Sequence, residues 1–578
     1  MSPNVWRLVV PVLAALVLAG CVASDGVEQA PGQETTIMGA PLQTSSMGSY
    51  LAGRVARLER DTESAARLFG VALDEDPGNP RLIGRTLQMV LAEGDLERAF
   101  TLAERRLESR QSDSTARLVL AVRALKAGDG QGAKAQMAKA RNDGIAALVH
   151  PMLNAWINVE LGDADAANEA LEALASRDVF DPFRLFHGAL VNDVLGGAEK
   201  AEAYYREMLD DNGRVATRVV LAYGAHLTAR GERDKAKDLL TGYLRDFPEN
   251  SVIVQALKAL EVGGAPQPPV TDASEGAAEA FLGAAGALAR DRTSQAAIVY
   301  LRLALYLRPQ LDAALMLLGD VLEVDGRYEA SNNAYQGVPP NSPYYWDARI
   351  RVASNLNRMD KVDETLRLLR ELAAQRADDT TALAAAGDIL RSRERYDEAV
   401  ADYDLAIGRI DTLDERHWAL LYARGIALER SKQWPRAEKD FLKALELRPE
   451  HPLVLNYLGY SWIEKGLNIE RARGMIERAV EQRPDDGYIV DSLGWVMFRI
   501  GEFDEAVRHL ERAVELRPED PVINDHLGDA YWRTGRQLEA RFQWSHALAL
   551  GAEPEEAVKI RDKLQFGLPP LATVSSGT

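Results

Sequence analysis

The sequence predicts an all-α solenoid built from stacked helical hairpins. Three observations carry that reading. Ala65, Ala99, Ala133, Ala167 and Ala201 recur every 34 residues, with Ala236 35 residues further on. A second series, Ala297, Ser331, Thr365, Ala399, Ala437, Ala472, Ala506 and Ala540, is spaced 34, 34, 34, 38, 35, 34 and 34. Composition agrees: of 578 residues, 47% are hydrophobic and only 7% aromatic, and the good helix formers Ala, Leu, Glu and Arg dominate. A chain this long exceeds one ordinary core, and a fixed period of roughly 20–50 residues marks a repeat array.

The elements follow in chain order. Residues 1–20 read as an export signal, with Arg7 as its positive end and Leu8 to Leu18 as an apolar stretch interrupted by Pro11. The stretch is too short to span a bilayer, which takes about 20 apolar residues. It ends in Leu18-Ala19-Gly20-Cys21. That tetrapeptide resembles the lipobox of bacterial lipoproteins, and the resemblance implies that Cys21 becomes the acylated first residue. Cys21 is the single cysteine, which excludes intramolecular disulfides, cysteine-based zinc sites and iron–sulfur clusters. Residues 21–46, with Asp25-Gly26, Pro31-Gly32 and Thr44-Ser45-Ser46, lack periodicity and are expected to be a flexible tether. Val22 follows the cysteine where some lipoproteins carry an inner-membrane-retaining Asp, so the expected place is the outer membrane, facing the periplasm.

Beyond the anchors, Ala recurs seven residues on, at Ala72, Ala140, Ala304, Ala406, Ala444, Ala479, Ala513 and Ala547. Pro77, Pro248, Pro309, Pro449, Pro484 and Pro518 stand twelve residues on and end the second helix of each hairpin. Gly53, Gly319, Gly387, Gly425, Gly494 and Gly528 stand twelve residues before the anchor. This pattern resembles the tetratricopeptide repeat. Turns such as Glu93-Gly94-Asp95, Ala127-Gly128-Asp129, Leu161-Gly162-Asp163 and Arg230-Gly231-Glu232 suit a helix end followed by a helix start. The register breaks once, around Gly263-Gly264-Ala265-Pro266-Gln267-Pro268-Pro269. The expected organisation is therefore a first array at 47–262 of about six repeats, with an extra helix at 251–262 closing it, and a linker at 263–274. A second array of about eight repeats with a capping helix is expected at 275–566, then a disordered tail at 567–578.

No catalytic pattern emerges, and no enzyme, metal, cofactor or small-molecule substrate is expected. The eight histidines (150, 187, 226, 417, 451, 509, 526 and 546) show no paired metal spacing. No phosphate loop and no Gly-x-Ser-x-Gly elbow occur. Asp163-Ala164-Asp165 begins like a calcium loop but lacks its later Gly and Glu, and reads as a hairpin turn. The net charge of -19 argues against nucleic acid.

In tetratricopeptide proteins the concave face is lined by residues about six and three before the Gly position, and one and four after it. Carried onto this sequence, the resemblance implies a protein-binding groove of Tyr422, Asn456, Tyr460, Tyr488, Asp491, Trp495, Phe498, Asp525, Asp529 and Trp532. Rings with interleaved amides and carboxylates suit an extended peptide. The first array has Leu118, Val122, Leu125, Val149, Met152, Trp156, Val159, Phe183 and Phe186 at the same offsets. A face this apolar should not stay exposed to water; it holds either a hydrophobic partner segment or the chain itself, and self-packing is the favoured expectation. The groove lacks the Lys/Arg set of chaperone-type carboxylate clamps. Lipobox, tether and repeats together, above all Tyr457-Leu458-Gly459-Tyr460 and Asp491-Ser492-Leu493-Gly494-Trp495, resemble outer-membrane lipoprotein adaptors of carboxyl-terminal processing proteases. The resemblance implies an envelope scaffold whose partners are a periplasmic protease and cell-wall hydrolases. The alternatives are an assembly or secretion lipoprotein, or an activator of a peptidoglycan synthase.

Overall fold

The computed structural model describes residues 45–569, except 111, 143, 211–214, 249, 291–293 and 378. The expected signal, Cys21 and nearly all of the tether lie outside the described residues, as does most of the expected tail. The described chain forms thirty α-helices and two short 3-10 turns, with no strand among the described residues. Hairpins follow one another from Ser46–Leu58 with Thr62–Glu75 to Pro521–Arg533 with Gln537–Ala549. Helix Ser251–Glu261 is the expected extra one, and Pro554–Phe566 the expected cap.

Sterics at one crossing per hairpin explain the period. All fourteen anchor side chains are completely buried. Opposite several of them, a glycine of the first helix leaves room for a large residue sixteen positions on. A methyl group at Gly319 would stand 2.3 Å from Tyr335, at Gly387 2.6 Å from Tyr403, and at Gly528 2.5 Å from Trp544. Where the anchor is not alanine, a hydroxyl keeps the approach close. Ser331 donates to the carbonyl of Gly319 at 2.9 Å and Thr365 to that of Ala353 at 3.3 Å, each on the paired helix.

The turns behave as their chemistry requires. Gly94 and Gly162 have φ of 86° and 71°, the left-handed region that side chains avoid. Each is followed by an Asp that caps the next helix: Asp95 accepts from the Arg98 N–H at 3.2 Å and Asp163 from the Ala166 N–H at 3.0 Å. Asp163-Ala164-Asp165 is thus a hairpin turn with its first carboxylate engaged by backbone.

The division expected at 263–274 needs correction. The break in helix is there, between Ser251–Glu261 and Ala273–Arg290. It does not end the core, because one continuous cluster of buried apolar residues runs from Ala56 to Ala334. Helix Ala273–Arg290 lies inside the first array, against Ser114–Lys126, Ala146–Glu160 and Asp181–Val194. Helix Ser294–Leu307 continues along it onto Pro80–Glu93. Polar contacts pin both helices: the buried Glu279 pairs with Arg218 at 2.8 Å, and Lys126 donates to the carbonyl of Leu307 at 2.5 Å. The turn of the superhelix then closes on itself. Arg327 bonds both oxygens of Glu93 at 2.9 Å, and Arg60 reaches Asp325 at 2.8 Å across 265 residues of sequence. The next large core begins at Ala353 and ends at Ile560.

The far end is closed by the cap. Ala557 and Ile560 are buried, and Lys563 lies 2.8 Å from both Asp525 and Asp529 of Pro521–Arg533.

Two outcomes are expected. A side chain at Gly276 would begin 2.2 Å from the Trp156 ring, so Gly276→Leu should destabilise the first array by roughly 1–3 kcal/mol. Gly286 has open space, and Gly286→Ala should instead stabilise by about 1 kcal/mol through helix propensity. Denaturant unfolding of the two variants checks this, and equal shifts would contradict the packing described. Lys563→Met leaves two buried carboxylates unpaired and should cost roughly 3–5 kcal/mol. Hydrogen exchange should then rise in Pro554–Phe566 first, whereas Lys563→Arg should hold it.

Candidate protein-binding groove

The ten groove positions stand on four consecutive first helices, Trp418–Arg430, Pro452–Lys465, Gly487–Ile500 and Pro521–Arg533. They fall into three environments. Tyr422 belongs to an aromatic cluster, with its ring 6.0 Å from those of Phe441 and Tyr457 and 6.2 Å from Trp418. Burial pushes its phenol up to about 12. Tyr460 is likewise half-buried, and burial with Glu464 and Asp491 nearby holds its phenol well above the usual range. These two rings serve packing between neighbouring repeats.

The middle of the groove is organised around Trp495. Its indole N–H donates to Glu464 at 2.6 Å, and Arg499 pairs with the same oxygen at 2.9 Å. The ring lies between Phe498, centroid at 4.9 Å, and His526, centroid at 4.0 Å, nearly parallel to both. His526 in turn contacts the buried Asp491 carboxylate at 2.9 Å. Burial alone would discharge this imidazole. Asp491, with Asp525 and Asp529, outweighs it and raises the pKa above the ordinary value. Sequence reading passed over His526, because it was weighed only as a metal ligand. Its position three residues after Ile523 and five before Tyr531 carries no periodic signal.

Toward the cap, the groove is occupied from within. Asp525 and Asp529 were expected to face a partner, and both are buried and paired with Lys563. Asp529 also accepts the Trp544 indole N–H at 2.9 Å. The same device holds Tyr335 to Asp320 and Tyr403 to Asp388, each at 2.7 Å and fifteen residues apart. Burial, with Asp525 beside it, raises the Asp529 carboxyl to about 6. Trp532 packs 5.4 Å from Trp544 and lies under the Arg541 guanidinium. Asp525, Asp529 and Trp532 therefore hold the last repeat and its cap together.

Two positions remain available. Tyr488 is 41% exposed, with the Arg517 guanidinium 5.2 Å from its ring and the Asp520 carboxylate at its hydroxyl. Asn456 has a buried carbonyl oxygen with no hydrogen-bond partner, a condition that is costly unless something donates to it.

The first array contrasts with this. Val122, Val149, Met152 and Trp156 are fully buried, Leu118, Leu125 and Val159 nearly so, and Phe183 and Phe186 are half-buried. The cover is helix Ala273–Arg290, so the apolar face does pack on the chain itself. Trp156 donates to Nδ1 of His187 at 3.0 Å, which requires a free lone pair there. Burial supplies it by lowering the His187 pKa to about 4.

Comparison with known proteins agrees with this architecture. Models described as TPR or tetratricopeptide repeat match residues 355–414, 418–451 and 494–535. The TPR repeat-containing protein PA4667 of Pseudomonas aeruginosa is 26% identical over 201 residues. That match covers 35% of this chain and 33% of the relative, so the chain spans about a third of the relative's length. Among solved structures, the APC/C hetero-tetramer Cut9–Hcn1 aligns at TM-score 0.37 and 17% identity, covering 92% of this chain and 99% of that one. Yeast Tom70 aligns at TM-score 0.34 and 13% identity, covering 90% and 95%. Neither superposes closely, and the matched segments carry the assignment. Repeats of this kind typically mediate contacts between proteins. Hairpins interlocked at small residues make this chain an all-α solenoid, and residues 355–414, 418–451 and 494–535 match tetratricopeptide repeats.

Proposed function

We propose that the protein is a lipid-anchored scaffold of the bacterial envelope, held through Cys21 and facing the periplasm. In this reading it grips a partner protein in the concave groove of its C-terminal repeats. The observation that carries it is the contrast between the two concave faces. Helix Ala273–Arg290 fills the first, whereas in the second the capping helix Pro554–Phe566 reaches in at one end, where Lys563 pairs with Asp525 and Asp529. The second also keeps an exposed ring at Tyr488 and an unpaired acceptor at Asn456. An extended peptide would supply apolar area to the ring, and a backbone N–H to that acceptor once the Asn456 amide turns outward. The resemblance to lipoprotein adaptors suggests the finer role, delivery of envelope substrates to a carboxyl-terminal processing protease. No described helix is long and apolar enough to cross a membrane, so in this reading acyl chains supply the attachment.

Attachment and capture are tested separately. Cys21→Ser should yield a folded protein that leaves the membrane fraction after a salt wash, and full retention would refute the lipid anchor. For the groove, Tyr488→Ala and Asn456→Ala should each weaken partner capture from crosslinked envelopes by roughly 10–100-fold, as expected for anchors worth about 1.4–3 kcal/mol. Circular dichroism should be nearly unchanged, because Tyr488 is largely exposed and its hydroxyl meets only the surface carboxylate of Asp520. Undiminished recovery of the same partners by the double variant would remove the groove assignment.

A further inference from the structure

A cavity of about 220 Å³ opens between helices Pro80–Glu93 and Ser114–Lys126, lined by three arginines, Arg81, Arg85 and Arg106, by one carboxylate, Asp113, and by Gly84, Leu87, Gln88 and Thr115. Its place on the repeat matters. Leu87 stands twelve residues before Ala99, so Arg81, Gly84 and Gln88 hold the groove-facing offsets of their repeat. Thr115 holds the same offset in the next repeat, six before Ala121. Helix Ser294–Leu307 covers only the far half of Pro80–Glu93, through Gln295 near Met89 and Arg302 near Ala92. The near half stays open.

The charges in the cavity do not balance. Arg106 is satisfied, by Asp113 at 2.8 Å and by the carbonyl of Pro80. Asp113 also caps helix Ser114–Lys126 through the Ala116 N–H at 3.1 Å. Arg81 and Arg85 have no acidic partner among the described residues. Arg85 is held over the Tyr50 ring at 5.0 Å, which fixes its guanidinium, and its Nη1 is buried with nothing to donate to. Gly84 keeps the floor clear: a side chain there would begin 3.2 Å from the Arg106 guanidinium. A buried, oriented and unpaired N–H donor is unfavourable in an empty site and favourable around an anion. In a chain of net charge -19 such a concentration of unpaired cations is local.

We propose that this cavity is a carboxylate-binding site that takes an acidic side chain of a protein partner, gripped by Arg81 and Arg85 with Gln88 and Thr115 as neutral donors. The planar guanidinium fork matches a carboxylate in two parallel bonds. The choice of a peptide carboxylate rests on the reading of the concave face as the partner's track, which the cavity extends into the first array.

The test uses the full mature chain carrying Cys21→Ser, titrated calorimetrically. The probes are an end-capped tetraglutamate peptide, its tetraglutamine counterpart and inorganic phosphate. The glutamate peptide should bind saturably, more weakly as salt rises, and the glutamine peptide should not bind. Arg81→Gln is exposed and leaves the core untouched; it should weaken binding by about tenfold. Gly84→Asp, which brings a carboxylate of its own, should compete with the peptide and weaken it similarly. Equal binding of the two peptides, or binding indifferent to both substitutions, would overturn the proposal. Binding of phosphate without the peptide would overturn it too, leaving an inorganic-anion site. Because the probe is a defined peptide, these results stand apart from partner capture at Tyr488 and Asn456.

Discussion

Everything in this molecule depends on how closely two helices approach in each hairpin. The anchor contributes a methyl group or a hydroxyl, and where a glycine stands opposite, as at Gly319, Gly387 and Gly528, one large residue fills the remaining space. Interiors are packed near the density of organic crystals, so such a crossing has one solution and tolerates little change in volume. Repeating it fixes the rotation between successive hairpins, and the accumulated rotation makes a superhelix with a concave face. The groove is a consequence of that crossing.

This is also why the fold was legible in the sequence and much of the site was not. Steric exclusion at a crossing selects small residues at a constant interval, and Ala65 to Ala540 display it openly. Ser331 and Thr365 looked like the weakest copies, yet their hydroxyls bond the facing carbonyls and preserve the spacing. Composition misled at 263–274, because Pro and Gly mark where backbone cannot be helical, and say nothing of where a core ends. The buried small residues Ala277, Ala280 and Ala284 of the following helix are the signal of close packing that was available. At the groove, offsets identified the right helices but not what already occupies them. Lys563 lies outside the repeat register, so no periodic argument could assign it to Asp525 and Asp529.

The two halves of the superhelix use one architecture for opposite ends. In the first, an apolar concave face is completed by the chain's own helix and reinforced by buried ion pairs such as Arg218–Glu279. In the second, rings stack on a charged network, Trp495 on His526 and His526 on Asp491, and the capping helix enters at one end through Lys563. A filled groove provides rigidity, since its apolar contacts are buried and mutually fixed. An open one provides a surface whose polar groups are pre-oriented, which lowers the ordering cost of recognising a flexible segment.

The closure of the first turn has a bearing on how such a chain can change. Ordinary solenoids gain or lose whole repeats by duplication and deletion, since each unit meets only its neighbours. That freedom is absent between residues 60 and 327. Glu93 must come round to Arg327, and Asp325 to Arg60, after a set number of hairpins. Removing one 34-residue unit would rotate these partners out of reach and withdraw the filling helix from Trp156. The C-terminal repeats carry no such count, so variation in length among descendants of this chain should accumulate there, in the half that keeps its groove open.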